Sequence, residues 1–387
     1  MKKYLLSFAV LLMGMAMFTS CSDDEEDVTP GSTPMKMKTT GIYVINQGNE
    51  FAKISGSITG ISTKNWNSTQ NFFELANGRK LGMTPNDAII YGSRMYIAVS
   101  AEGTVEVLDK NTMKSVKQVK ITDLLGSKEG YYPRHLASAD GCVYVTTFGG
   151  YVAAIDTVSL DLKKKYQVGS YPEGITVRGN KLYVANSDWG RGKGNLSEIN
   201  LTNGTVASIN DPLVVNPSGI KAVSKGLLVL DFGKYDETGN QQGAGVIRFM
   251  DGKAKKVADA TMMAVMSVSG KPHRIYTINA PYTKPATPVT YQVYDMHTGK
   301  TSTFIKEGVD SPAAIAVDPV SGYVYITSYK KSPDTGFADY STPGYVNIYD
   351  ESGVLLKTLP TGVGPGAIVF DHHNVMQCHF LKSLDSF

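Results

Sequence analysis

The chain predicts an all-β fold, a seven-bladed β-propeller of four-stranded antiparallel blades whose last blade is closed by strands from both termini. Three observations carry this. A Tyr-centred cassette recurs at intervals of about forty to fifty residues, a Pro-led apolar segment stands ahead of most cassettes, and each terminus lacks what the other supplies. A repeat of this length built from short strands cannot bury its own hydrophobic face, and it gains a core only by stacking on its neighbours.

The cassettes place a polar or small residue and an apolar residue before Tyr, then a β-branched run. They read Arg94-Met-Tyr-Ile-Ala98, Cys142-Val-Tyr-Val-Thr146, Lys181-Leu-Tyr-Val-Ala185, Arg274-Ile-Tyr-Thr-Ile278 and Tyr323-Val-Tyr-Ile-Thr327. Gly41-Ile-Tyr-Val-Ile45 is a sixth, and Gly226-Leu-Leu-Val-Leu230 a degenerate seventh with Leu at the Tyr position. Each predicts the second strand of a blade. The Pro segments begin at Pro85, Pro133, Pro172, Pro217, Pro312 and Pro365, and Met262 to Val265 fills the one missing copy. Pro suits the start of a strand because the ladder does not yet need its absent N–H, so these segments predict the innermost strands.

A third strand follows each cassette, as in Gly103 to Asp109 or Gly344 to Asp350. A turn such as Lys110 to Met113 then leads to a polar fourth strand such as Lys117 to Ile121. Alternating apolar and polar residues with Gly, Asn and Asp in the turns is the antiparallel pattern. The Pro365 strand has no cassette after it, and the cassette at Ile42 has no Pro strand before it. One shared blade resolves both, and a closed ring leaves no exposed sheet edge.

Residues 1–20 read as a signal. Lys2 and Lys3 precede an apolar run from Tyr4 to Phe18 that is too short to span a membrane. Phe18-Thr-Ser-Cys21 resembles a bacterial lipobox, which makes Cys21 the lipidated residue. Residues 21–40 read as an acidic flexible tether, residues 41–371 as the propeller and residues 372–387 as a C-terminal tail. The run Ser22-Asp-Asp-Glu-Glu-Asp27 resembles the acidic export signal of surface-exposed lipoproteins of the Bacteroidetes, so an outward-facing outer-membrane location is expected. Without the two signal lysines, 36 basic residues face 35 acidic ones, and no basic stretch makes an electrostatic case for nucleic acid. Once Cys21 is committed, Cys142 and Cys378 cannot form a disulfide framework, and Cys142 reads as a small buried hydrophobe. The tail His372-His373…Cys378-His379 has metal-capable residue types in a terminal position that argues for a tail rather than a zinc site.

Loops between second and third strands share one face of a propeller with the loops between blades. Here the turns after Ala98 and Thr146 are tight, whereas Ser187–Asn195, Asp231–Gly245, Ala280–Pro288 and Tyr329–Gly344 are long. Insertions gathered on one face are where function concentrates. These loops carry Trp189, Phe232, Tyr235, Tyr282, Tyr329, Phe337 and Tyr340, and Asn46 to Phe51 and Tyr131-Tyr132 reach the same face. Aromatics with polar tips suit a large, planar-faced ligand or a sugar; the alternative is that they fold back to cap the blades. Asn86, Asp87, Arg134, His135, Glu173 and Ser218, just after the Pro anchors, are expected at the channel mouth, as ligand contacts or as wetted channel groups. The candidate ligand-binding set is therefore the seven loop aromatics together with Tyr132, Arg134, His135 and Glu173.

No zinc spacing, nucleophile elbow or phosphate loop occurs, so no catalytic residue, metal or cofactor is expected. Ser332-Pro-Asp-Thr-Gly-Phe337 matches an Asp-box only in part, and Asp295-Met-His-Thr-Gly-Lys300 is explained by a turn between the third and fourth strands.

From Ile42 to Asp371 the pattern resembles the YncE-like seven-bladed propeller lipoproteins of gut Bacteroidetes. The residues that carry this are Ile42-Tyr-Val-Ile-Asn-Gln-Gly-Asn49, Asn86-Asp-Ala-Ile-Ile-Tyr-Gly92, Tyr132-Pro-Arg134, Tyr171-Pro-Glu-Gly-Ile175 and Leu182-Tyr-Val-Ala-Asn-Ser187. The BtuG-type branch of that family binds cobalamin on a TonB-dependent transporter of the BtuB type. The resemblance thus implies a non-enzymatic surface lipoprotein that captures cobalamin or a related corrinoid. It implies no individual binding residue, because the ligand-face loops are the variable part. A propeller enzyme acting on glycans or using a quinone, and a protein-interaction platform, are the alternatives.

Overall fold

In the computed structural model, residues 35–250, 252–266 and 273–376 are described. The expected signal, Cys21, the acidic run, Cys378 and His379 lie outside the described residues.

Seven four-strand sheets form, each antiparallel, and each inner strand begins at or beside the expected segment. The first blade orders Pro85–Tyr91, Arg94–Val99, Thr104–Asp109 and Ser115–Lys120 from the inside outward. The next five repeat this order on inner strands Pro133–Ala139, Pro172–Arg178, Pro217–Val223, Met262–Met266 and Ser311–Val317. The cassettes supply their second strands, Cys142–Thr147, Lys181–Asn186, Gly226–Asp231, Arg274–Asn279 and Val324–Lys331. The seventh sheet sets Pro365–Met376 innermost, then Met35–Asn46, Ser57–Ile61 and Ser68–Thr69. The shared closing blade is therefore present. Its two long strands run past residues 41 and 371, the limits expected from the sequence.

The core is divided among seven seams, one between each pair of neighbouring blades. Val107, Val119, Val143 and Ile155 fill the seam between the first two blades, and Ile45, Ile58, Met95 and Leu108 fill the one between the seventh and first. Ile42, Val44, Val346 and Ile348 complete the ring between the sixth and seventh. The cassette Tyr is the largest piece of most seams: Tyr96, Tyr276 and Tyr325 are each 1% exposed. Burying a side chain of this class contributes roughly 1.5–3 kcal/mol, which is why Leu228 can occupy the same position in the degenerate copy. Cys142 is buried and free, as expected of a small hydrophobe.

Polar contacts fasten the closing blade on both sides. Thr39 Oγ1 donates to Asp318 Oδ2 at 2.7 Å in the sixth blade. Lys110 Nζ lies 2.6 Å from Asp371 Oδ1, joining the first blade to the last inner strand, and both side chains are nearly buried. The turn at Asp295 is the expected third-to-fourth-strand connection, with its carboxylate accepting from the His297 and Thr298 N–H groups.

One irregularity recurs in the inner strands. Register shifts separate Pro85 from Asp87, Pro133 from Leu136, Pro172 from Ile175, Pro217 from Gly219 and Pro312 from Ala314. A bulge puts an extra residue on one strand and re-aims its side chain, so the residues after each Pro turn out of the ladder.

Candidate functional site

The bulges of the first three blades bring Asn86, Asp87, Arg134, His135 and Glu173 into one polar cluster. Arg134 Nε donates to Glu173 Oε2 at 2.8 Å, and His135 Nδ1 lies 3.3 Å from Asp87 Oδ2, with Nε2 3.7 Å from Glu173 Oε2. Asn86 Nδ2 donates to the Arg134 carbonyl at 2.9 Å, and the Leu136 N–H donates to Asp87 Oδ2 at 2.9 Å. Burial works to raise the Asp87 carboxyl, but the hydrogen bond and charge of His135, the Leu136 N–H and the charge of Lys221 outweigh it and hold it below the usual range. Arg134 and His135 of the second blade thus meet Glu173 of the third, and Asp87 of the first joins them. Ser218 stands apart, its hydroxyl donating to the Leu230 carbonyl.

Above this cluster the aromatics of the second and third blades form a continuous ladder. Tyr131 and Tyr132 have centroids 5.1 Å apart, and Tyr132 stacks on Phe148 at 5.8 Å and 9°. Phe148 meets Trp189 edge-on at 5.4 Å and Tyr171 at 5.3 Å, and Tyr171 lies 5.2 Å from Trp189. The Arg134 guanidinium sits over Phe148 at 4.7 Å and that of Arg191 over Tyr171 at 5.2 Å. The outer rungs remain open, with Trp189 62% and Tyr131 53% exposed.

The backbone under the ladder is held in an unfavourable region. Tyr132 (φ 55°), Tyr171 (φ 51°) and Trp189 (φ 55°) are left-handed, which is rare for bulky residues. Two of them precede proline, which ordinarily forces extended backbone. Strand-end hydrogen bonds fix the carbonyls, Phe148 N–H donating to Tyr132 O at 3.3 Å and Ser187 N–H to Tyr171 O at 3.0 Å. Strain of this kind costs of order 1–3 kcal/mol per residue and gathers at functional sites.

The other expected aromatics fall into separate groups on the same loop face. Tyr329 and Tyr340 pack edge to face at 4.8 Å, and the Tyr340 carbonyl accepts from Asn49 Nδ2 at 3.0 Å. Burial, then the neighbouring Tyr340, pushes the Tyr329 phenol up. Phe337 is 75% exposed at the tip of a hairpin in which Ser332 N–H donates to the Phe337 carbonyl. Tyr235 lies on the small ladder Lys234–Tyr235 against Gln241–Gln242 and is half exposed. Gln241 N–H donates to the Tyr282 carbonyl at 2.7 Å, binding two long loops together, and Lys284 sits over the Tyr282 ring. Phe232 is half-buried against the seam between the fourth and fifth blades, in the capping position.

The DUF5074 family model, a domain of unknown function, matches residues 40–303. The chain belongs to the DUF5074 family. That match spans most of the ring, from the second strand of the closing blade to the outer strand of the fifth. No curated protein matches this DUF5074 chain significantly in sequence. Solved structures share its fold. Hydrazine synthase of Kuenenia stuttgartiensis superposes with a TM-score of 0.55 at 17% identity, over 74% of this chain and 89% of that one. A candidate 6-phosphogluconolactonase of Bacteroides uniformis gives 0.59 at 10% identity, over 86% and 99%. The WD40 repeats of RRP9 give 0.50 at 8%, over 72% and 81%. At these identities the likeness is one of fold.

Two members of the DUF5074 loop face escaped the sequence reading. Phe148 lies in a tight turn, yet it occupies the position four residues after the cassette Tyr position that Phe232 and Tyr329 occupy in their blades. Tyr171 precedes Pro172 as Tyr132 precedes Pro133, a signal that was available. Glu50 falls in the Asn46 to Phe51 stretch expected on this face, but that its carboxylate accepts from the Tyr132 hydroxyl at 2.8 Å has no local signal.

Proposed function

We propose that this DUF5074 propeller is a non-enzymatic capture protein whose loop face takes a large ligand with flat apolar faces, cobalamin or a related corrinoid first. The observation that carries this reading is the Tyr132–Phe148–Trp189–Tyr171 ladder, pre-set on strained backbone and open to solvent at Trp189. A rigid aromatic surface loses little entropy when a planar ring settles on it, and each ring buries large apolar area. The polar periphery of such a ligand meets Arg191, Asp188 and the loop carbonyls. The lipobox-like Cys21 and the acidic run favour display on the outer membrane facing outward, where a TonB-dependent transporter of the BtuB type is the receiving partner.

The pairing at the channel mouth favours capture over glycan hydrolysis. A general acid there needs a carboxyl raised towards neutrality, whereas Asp87 is held low and Glu173 is tied to Arg134. The direct test mixes purified protein with cobalamin and desalts it. Retained pink colour in stoichiometric amount supports the reading, and colourless protein removes the corrinoid.

A further inference from the structure

Where the sixth and seventh blades meet, a cleft of about 510 Å³ opens beside the loop face, apart from the aromatic ladder. It lies inside the range of about 300–1,000 Å³ typical of small-molecule sites. Its walls come from segments far apart in sequence. Gln70 ties the floor, accepting from Thr59 Oγ1 at 2.8 Å and donating to the Pro360 carbonyl at 2.8 Å. Gly362 N–H donates to Asn46 Oδ1, and a Cβ at Gly362 would lie 2.6 Å from Ser57 Oγ, so only glycine fits this close approach. On the other wall Gly56 N–H donates to the Gly82 carbonyl at 2.7 Å, and Ser55 Oγ lies 3.1 Å from it.

The charged groups on this rigid frame are unspent. Lys53, Lys80 and Glu74 line the cleft, and their side chains make no ion pair or hydrogen bond among the described residues. The Asn71 carboxamide is likewise free and does not cap the short helix it precedes. Lys53 (φ 57°) and Asn71 (φ 53°) are both left-handed. Lys53 closes a four-residue hairpin tip in which the Asn49 and Ile54 N–H groups each donate to the other's carbonyl at 2.9 Å. Ile54, Val363, Pro343 and Pro360 supply the apolar wall.

We infer that this cleft is a second ligand site and takes a small polyhydroxylated carboxylate, the chemistry of an acidic sugar. Two free ammonium groups attract the carboxylate, a free carboxylate and carboxamide exchange hydrogen bonds with hydroxyls, and the Pro and aliphatic surface receives the C–H face. A neutral sugar lacks the first attraction, and an inorganic anion uses neither the acceptors nor the wall. The same chemistry arrives either as a free uronic acid or as a residue of an acidic polysaccharide.

The test titrates full-length protein with glucuronate, with glucose, and with an oligogalacturonide, following backbone amide shifts at low salt. Expected are shifts at Ser55, Gly56, Gln70 and Gly362 with glucuronate, weaker ones with glucose, and loss of affinity in high salt. Lys53→Gly with Lys80→Ala should weaken binding about tenfold, the scale of two exposed ion pairs. Lys53→Gly relieves a left-handed backbone, so this variant stays folded, as its melting temperature checks. Binding of the oligosaccharide but not the monosaccharide, with the same lysine dependence, places the source in a polymer and keeps the proposal. Equal binding of glucose, unchanged affinity in the double variant, or no shift with either acid overturns it. Trp189→Ala leaves this site intact, so its outcome is separable from that of corrinoid capture.

Discussion

The Tyr132 hydroxyl donates to the Glu50 carboxylate at 2.8 Å, tying a loop of the closing blade to the approach to the second blade across the face of the first. Thr84 Oγ1, before the first blade, donates to the same oxygen at 3.4 Å. With Asn49 reaching Tyr340, one short hairpin links the sixth blade to the second, and the first rung of the aromatic ladder is set by the last blade of the ring.

Burial, followed by the Glu50 hydrogen bond and charge, pushes the Tyr132 phenol up to about 12. A folded value raised above the unfolded one means stability that is complete below about 10 and lost as pH climbs towards 12. Glu50→Gln removes the charge and leaves the burial, so carbon NMR of the Tyr132 ring should show its titration moving down. Tyr132→Phe should cost about 1 kcal/mol in urea unfolding. A Tyr132 titration unaffected by Glu50→Gln would contradict the link.

At the channel mouth, His135→Phe should release Asp87. Burial would then act with less opposition, and the carboxyl should titrate at higher pH than in the wild type. Because a depressed carboxylate stabilises the fold above its unfolded value and loses that contribution as pH falls through the folded one, the variant, which lacks that contribution, should be less stable near neutrality and should lose less stability on acidification than the wild type. Carboxyl NMR and acid unfolding read both effects.

Lys110 and Asp371 pair where the ring closes. Their side chains are 12% and 7% exposed, so the pair sits in a largely water-excluded place. Lys110→Met should therefore lower stability by about 3 kcal/mol, with part recovered by adding Asp371→Leu. Ending the chain at Val363 removes the innermost strand of the seventh blade, exposes an edge, and should give oligomers or aggregates on size exclusion. A monomeric, fully stable truncation would refute the shared blade.

The fold was legible because blade strands repeat locally. Tyr96, Tyr144 and Tyr276 announced second strands, and Pro85 or Pro172 announced inner ones, from a few neighbouring residues. The loop face was legible too, since unequal loops show in the spacing. Contacts that depend on how blades meet were not. His135 with Asp87, Glu50 with Tyr132, and Gln70 with Pro360 join residues that nothing local relates. Phe148 was passed over because its turn is short, although its ring between Tyr132 and Trp189 is what completes the ladder.

Isothermal titration of the protein with cobalamin, repeated on Trp189→Ala and on Asn111→Ala at the opposite face, tests the account most directly. The prediction is tight one-to-one binding by wild type, about thirtyfold or more lost in Trp189→Ala (about 2 kcal/mol), and no change in Asn111→Ala. No heat and no binding with wild-type protein, or affinity untouched by Trp189→Ala, would contradict capture on the aromatic ladder.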